Sequence, residues 1–144
     1  YDVTIEAVYS PGGAVQFIRA ITLVLTVTDF SFDIQPRYNE VKPDHEAPPY
    51  TLTLTVNDGF RAPNAFKFSI TGLEKLEDKI SWRFELVEYK VDDQGTAKFN
   101  YNLVFKVESG AKKDLYLFTV KISAATAGGT ISHDISNIQL KIIS

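Results

Sequence analysis

Apolar and polar residues alternate along nearly the whole chain with a period of two, the signature of strands with one buried face. The first run puts Val3, Ile5 and Ala7 on one side of a strand over residues 1–9, released by Ser10-Pro11-Gly12-Gly13. Residues 14–28 set Ile21, Leu23, Leu25 and Val27 on one face, with Ala20 and Val24 on the other, which predicts a central strand. Phe30, Phe32 and Ile34 alternate with polar residues up to Pro36, and Tyr50, Leu52, Leu54 and Val56 alternate with three threonines. Between them, residues 37–49 hold Pro43, Pro48 and Pro49 with Asp44, His45 and Glu46, an expected extended surface loop.

Phe66, Phe68 and Ile70 mark a short strand, and residues 72–79 space Leu73 and Leu76 for one helical turn. Ile80, Trp82, Phe84 and Leu86 read as the heaviest block of the core. The turn Asp92-Asp93-Gln94-Gly95 returns the chain as Phe99, Tyr101, Leu103, Phe105 and Val107. Tyr116, Phe118, Val120 and Ile122, then Ile138, Leu140 and Ile142, complete an all-β antiparallel sandwich of about nine strands, jelly-roll or immunoglobulin-like. The expected organisation is a single domain over 1–144, with 1–9 as an N-terminal donor strand and 10–13 as its hinge.

The chain also echoes itself. Residues 1–27 align with 116–142, matching Tyr1 to Tyr116, Thr4 to Thr119, Gly13 to Gly128, and Leu23, Leu25 and Val27 to Ile138, Leu140 and Ile142. The opening segment thus has two readings, a strand donated to another molecule or half of a hairpin that ends a preceding repeat.

A length of 144 residues holds one well-buried core, and a net charge of −3 offers no basic field for nucleic acid. There is no apolar run long enough to span a bilayer as a helix. The absence of cysteine removes disulfides, thiolate metal sites and thiol nucleophiles together. A start at Tyr1 fits a mature secreted chain freed of its signal peptide, and equally a domain excised from a longer one.

Catalytic chemistry finds little support. Ser132-His133-Asp134 has the letters of a hydrolase triad, but strand neighbours point to opposite faces and do not converge. Glu85 and Glu88, or Asp92 and Asp93, pair carboxylates with nothing to set their separation. The chain is read as no enzyme. Asp44, Glu46, Asp92 and Asp93 offer oxygen ligands at turns, as calcium requires, although turn chemistry alone favours the same residues. Tyr38 and Phe60 are the candidate binding-loop aromatics.

Two resemblances follow. Asp29-Phe30-Ser31-Phe32, Asn57-Asp58-Gly59-Phe60 and Phe68-Ser69-Ile70-Thr71-Gly72-Leu73 resemble the immunoglobulin-like repeats of bacterial and archaeal surface proteins. Those repeats carry a Gly-Phe after one strand and a Ser-x-x-Gly-Leu after the next. The whole Cys-free pattern, with its N-terminal strand set off by Pro-Gly-Gly, is similar to secreted archaeal subunits of extracellular filaments and tubes, including the cannula proteins. That resemblance implies a β-sandwich that polymerises with copies of itself, donating Val3, Ile5 and Ala7 to a neighbour, with calcium assisting assembly.

Overall fold

The computed structural model describes residues 2–9, 17–24, 29–57, 66–126 and 129–144. Among them are eleven strands: β1 (Asp2–Tyr9), β2 (Phe17–Val24), β3 (Phe30–Gln35), β4 (Tyr38–Val41), β5 (His45–Glu46), β6 (Tyr50–Val56), β7 (Phe66–Thr71), β8 (Ile80–Val91), β9 (Ala97–Val107), β10 (Leu115–Thr126) and β11 (Gly129–Ile142). A short 3₁₀ segment, Glu74–Lys79, precedes β8 and buries Leu76. The all-β sandwich is as the alternation predicts, with two more strands than the expected nine.

One sheet runs β4–β11–β10–β7 and is antiparallel except for the parallel pair β11–β4. The other runs β3–β6–β9, with β8 along the far side of β9. Because β8 pairs with β9 from Val107 to Ala97, β5 must lie on the same side of β9 as β6. The core between the sheets is aromatic and aliphatic. Tyr50 meets Phe105 and Phe118 edge-on, and its hydroxyl donates to the Gln139 carbonyl, tying one sheet to the other. Phe99, Leu103, Phe118, Val120, Ile138 and Leu140 are wholly or almost wholly removed from solvent. Apart from the tyrosines Tyr50, Tyr101 and Tyr116, the buried side chains among the described residues are all apolar.

Three expectations are corrected. The loop expected over 37–49 contains strands: β4 joins β11, and β5 joins β9, where the Ala47 N–H also donates to the Phe105 carbonyl. A proline-rich composition does not prevent strands as short as these at sheet edges. β2, expected to be central, pairs among the described residues with β1 alone, in a separate two-stranded sheet. β8, expected to be the heaviest block of the core, is mostly exposed: of its residues only Ile80 is buried and Phe84 half-buried.

Candidate interaction site

The first surface of interest is the β1–β2 hairpin. Its register sets Val3 opposite Leu23, Ile5 opposite Ile21 and Ala7 opposite Arg19. Directly opposed residues share a face of a two-stranded sheet. Ile5 and Ile21 thus form one apolar pair, and both stay in solvent, 54% and 62% exposed. The donor strand expected over 1–9 is therefore paired along β1 with β2 of its own chain. The side chains of Val3 and Ala7, and the hinge at 10–13, lie outside the described residues.

The internal echo extends to the register. Moved 115 positions along the chain, the pair Val3–Leu23 falls on Phe118–Ile138, which are directly opposed in β10–β11. Past that point β10–β11 shifts register between Phe118 and Val120, and β1–β2 does not. The counterparts differ in burial. Val120, which corresponds to Ile5, is fully buried between the sheets, while Ile5 has no such cover.

The second surface is β8. Trp82, Leu86, Tyr89 and Val91 lie opposite Phe105, Tyr101, Phe99 and Ala97 of β9, so they belong to the core-facing side of the sheet. They are nonetheless 42%, 47%, 49% and 54% exposed. In the same row Ile80 is buried, and Phe84 is half-buried under Phe68 of β7, stacked with ring centroids 4.8 Å apart. Sequence reasoning missed this surface. A signal was present, because the register shift between Leu86 and Glu88 leaves Val87 apolar out of phase and resumes the row at Tyr89.

The remaining candidates do not form a shared site. Glu46 is held by Arg83, Nη1 to Oε1 at 2.8 Å, and that bond keeps its carboxyl below the usual value. Arg83 also pairs with Glu85, and Glu88 pairs with Lys90 at 2.9 Å, so these acids sit in ordinary exposed ion pairs. Asp92 spends one carboxylate oxygen on the backbone N–H groups of Gln94 and Thr96, each at 2.9 Å, as turn aspartates do. Asp44 has a positive φ of 66° at the turn into β5, and Asp93 is exposed. No group of three or more His, Asp or Glu side chains among the described residues is arranged to hold a metal ion.

Tyr38, 40% exposed, begins β4 and donates its hydroxyl to Glu40, while Phe60 lies outside the described residues. In β11, Ser132 bonds Ser123 and His133 bonds Asp29, so the serine and histidine of this run engage different partners. The His133 Nε2 to Asp29 Oδ1 distance is 2.8 Å, and this bond, then the Phe30 N–H, holds the Asp29 carboxyl below its ordinary value. The pair joins β11 to the start of β3, with Phe30 edge-on to the His133 ring. No family model matches this chain, and no curated protein matches it.

Proposed function

We propose that this chain is a structural module, without catalysis of its own, that associates with other β-sandwiches by docking its β1–β2 hairpin. Among homopolymers this is the role of an extracellular filament or tube subunit. One observation carries the reading: the Ile5–Ile21 pair stands exposed on a two-stranded sheet of its own, while the hairpin it echoes is built into a sandwich. A lone two-stranded hairpin is at best marginally stable in water, and cover on its apolar face is what makes such a ribbon persist.

The test is self-association of the whole chain, followed by sedimentation velocity and negative-stain electron microscopy over a concentration series, with added calcium and with chelator. The expected result is concentration-dependent growth that Ile21→Lys abolishes, because a charge set into an apolar contact loses its hydration. Growth only in calcium would bring the metal into the assembly. Unchanged assembly by the Ile21→Lys chain would overturn the hairpin's role.

The register echo favours a second reading, an immunoglobulin-like adhesion module in an array of repeats. There the hairpin closes the sandwich of an adjoining repeat in the same polypeptide. A chain that stays monomeric at high concentration, with and without calcium, would select it over the filament.

A further inference from the structure

β8 and β7 are neighbouring edges of the two sheets, and their lengths do not match. β8 has twelve residues and β7 six. Each pairs on one side only among the described residues, β8 with β9 and β7 with β10. Phe68 of β7 rests on both Tyr101 and Phe84, so the sheet containing β7 reaches β8 at that point. Between buried Ile80 and half-buried Phe84, Trp82 is exposed, and beyond Phe84 the core-facing row of β8, Leu86, Tyr89 and Val91, is exposed throughout. A groove bounded by Ile70, Leu73, Ile80 and Trp82, with Glu74 and Glu77 on its rim, opens between the two edges. The facing sheet thus leaves most of the core-facing row of β8 exposed.

We infer that this open edge is the acceptor for the β1–β2 hairpin of a second copy, which lies beside β7 and covers Trp82, Leu86, Tyr89 and Val91. The inference rests on the reading of β1–β2 as a docking hairpin and names where it docks. Three observations choose a second copy as the occupant. β7 already takes one strand of an antiparallel hairpin, β10, as its neighbour, and β1–β2 is a second such hairpin, sharing the register of β10–β11 at Phe118–Ile138 though not over residues 119–124 that pair with β7. The hairpin carries the uncovered apolar pair Ile5–Ile21, and the acceptor lacks apolar cover. β1 has eight residues, about 27 Å at the usual rise per residue, which exceeds the length of β7.

Size agrees as well. At roughly 200 Å² of surface per large apolar side chain, the exposed shares of the four β8 residues sum to roughly 400 Å². That is about half of what one partner contributes to a standard interface. The rest comes from the paired strand edges. Hairpin and acceptor are different surfaces, so the contact is head-to-tail and propagates as an open filament unless its rotation closes a ring.

The chain's lack of cysteine permits a clean cross-linking test. A copy carrying Ile5→Cys is mixed with one carrying Leu86→Cys and oxidised. The control partner carries Leu117→Cys, 48% exposed on the outer face of β10. Docking holds the paired thiols at an effective concentration of about millimolar. Heterodimer should therefore form about tenfold faster with Leu86→Cys than with Leu117→Cys. As a second measurement on the unaltered chain, the emission of Trp82, its sole tryptophan, should shift to the blue as concentration rises. Self-association without Leu86 cross-links and with unmoved Trp82 emission would overturn the acceptor and leave the docking hairpin standing. Absence of self-association in the unaltered chain would overturn both.

Discussion

Gly72 is the position where the backbone leaves least room for any other residue. It has a φ of +102°, and a Cβ placed there would sit 2.5 Å from the Leu117 carbonyl oxygen and 3.0 Å from the Phe118 Cα. Both are backbone atoms of β10, the neighbour of β7, so neither moves without disturbing the ladder. Leu73 and Leu76, immediately after, are buried in the core, which fixes the path on the other side. Gly72→Ala combines backbone strain of about 1–3 kcal/mol with an overpacking cost of about 1–3 kcal/mol. Destabilisation of about 2–6 kcal/mol follows, or a fall in Tm of about 10 °C or more for a chain of this size. Gly110→Ala is the control, because Gly110 has a φ of +85° and nothing within 4 Å of the added Cβ. It should cost only the strain, about 1–2 kcal/mol. Urea unfolding followed by far-ultraviolet circular dichroism measures both. Equal losses in the two variants would refute the close approach of Gly72 to β10 as the cause.

Three further outcomes are expected. Tyr50→Phe removes the hydroxyl that bridges the sheets to the Gln139 carbonyl and should destabilise by about 1–2 kcal/mol in the same urea assay. Tyr101→Phe should leave stability unchanged or raise it by about 1 kcal/mol, because the Tyr101 hydroxyl is buried with no hydrogen-bond partner among the described residues; a loss would reveal a partner. Asp29 is held below its ordinary value of 3.8 by His133 and the Phe30 N–H. Its contribution is therefore full above that value and lost as pH falls through the lower folded-state value. Asp29→Asn should accordingly be less stable than the parent at neutral pH, and the gap should close in strong acid, as read from urea midpoints across a pH series.

Period-two alternation made most of the fold legible because each strand of a sandwich must sort its side chains between core and water. Tyr50 to Val56 and Phe99 to Val107 alternate in sequence, and their apolar phase is buried in the structure. The two-residue strand β5 was not legible, since two residues carry no period and its pairing with Val107 and Lys106 is entirely long-range. The Ser-x-x-Gly-Leu segment was noticed only as a resemblance, and its physical content is local: Gly72 supplies the positive φ and Leu73 the buried anchor. For the acidic candidates the sequence left two roles open. Asp92 at a turn satisfies backbone N–H groups, and sequence alone does not separate that role from metal ligation.

The misreading of β8 has a different origin, and it bears on the hairpin too. Alternation records that a strand face is apolar, and it is silent on what supplies the cover. Trp82, Leu86 and Tyr89 have the same phase relation to β9 as the buried residues of β6 have on its other side. They differ in lying on the sheet edge, where among the described residues the facing sheet also ends, at β7. Ile5 and Val120 make the same point at matched positions of the two hairpins, one exposed and one fully buried. Burying a side chain of this kind is worth about 1.5–3 kcal/mol. An uncovered hairpin face and an uncovered strand face in one chain are thus two unmet demands of the same sign. In the docking proposed above, a single head-to-tail contact between copies would meet both, whereas contacts with two unrelated partners would each meet only one.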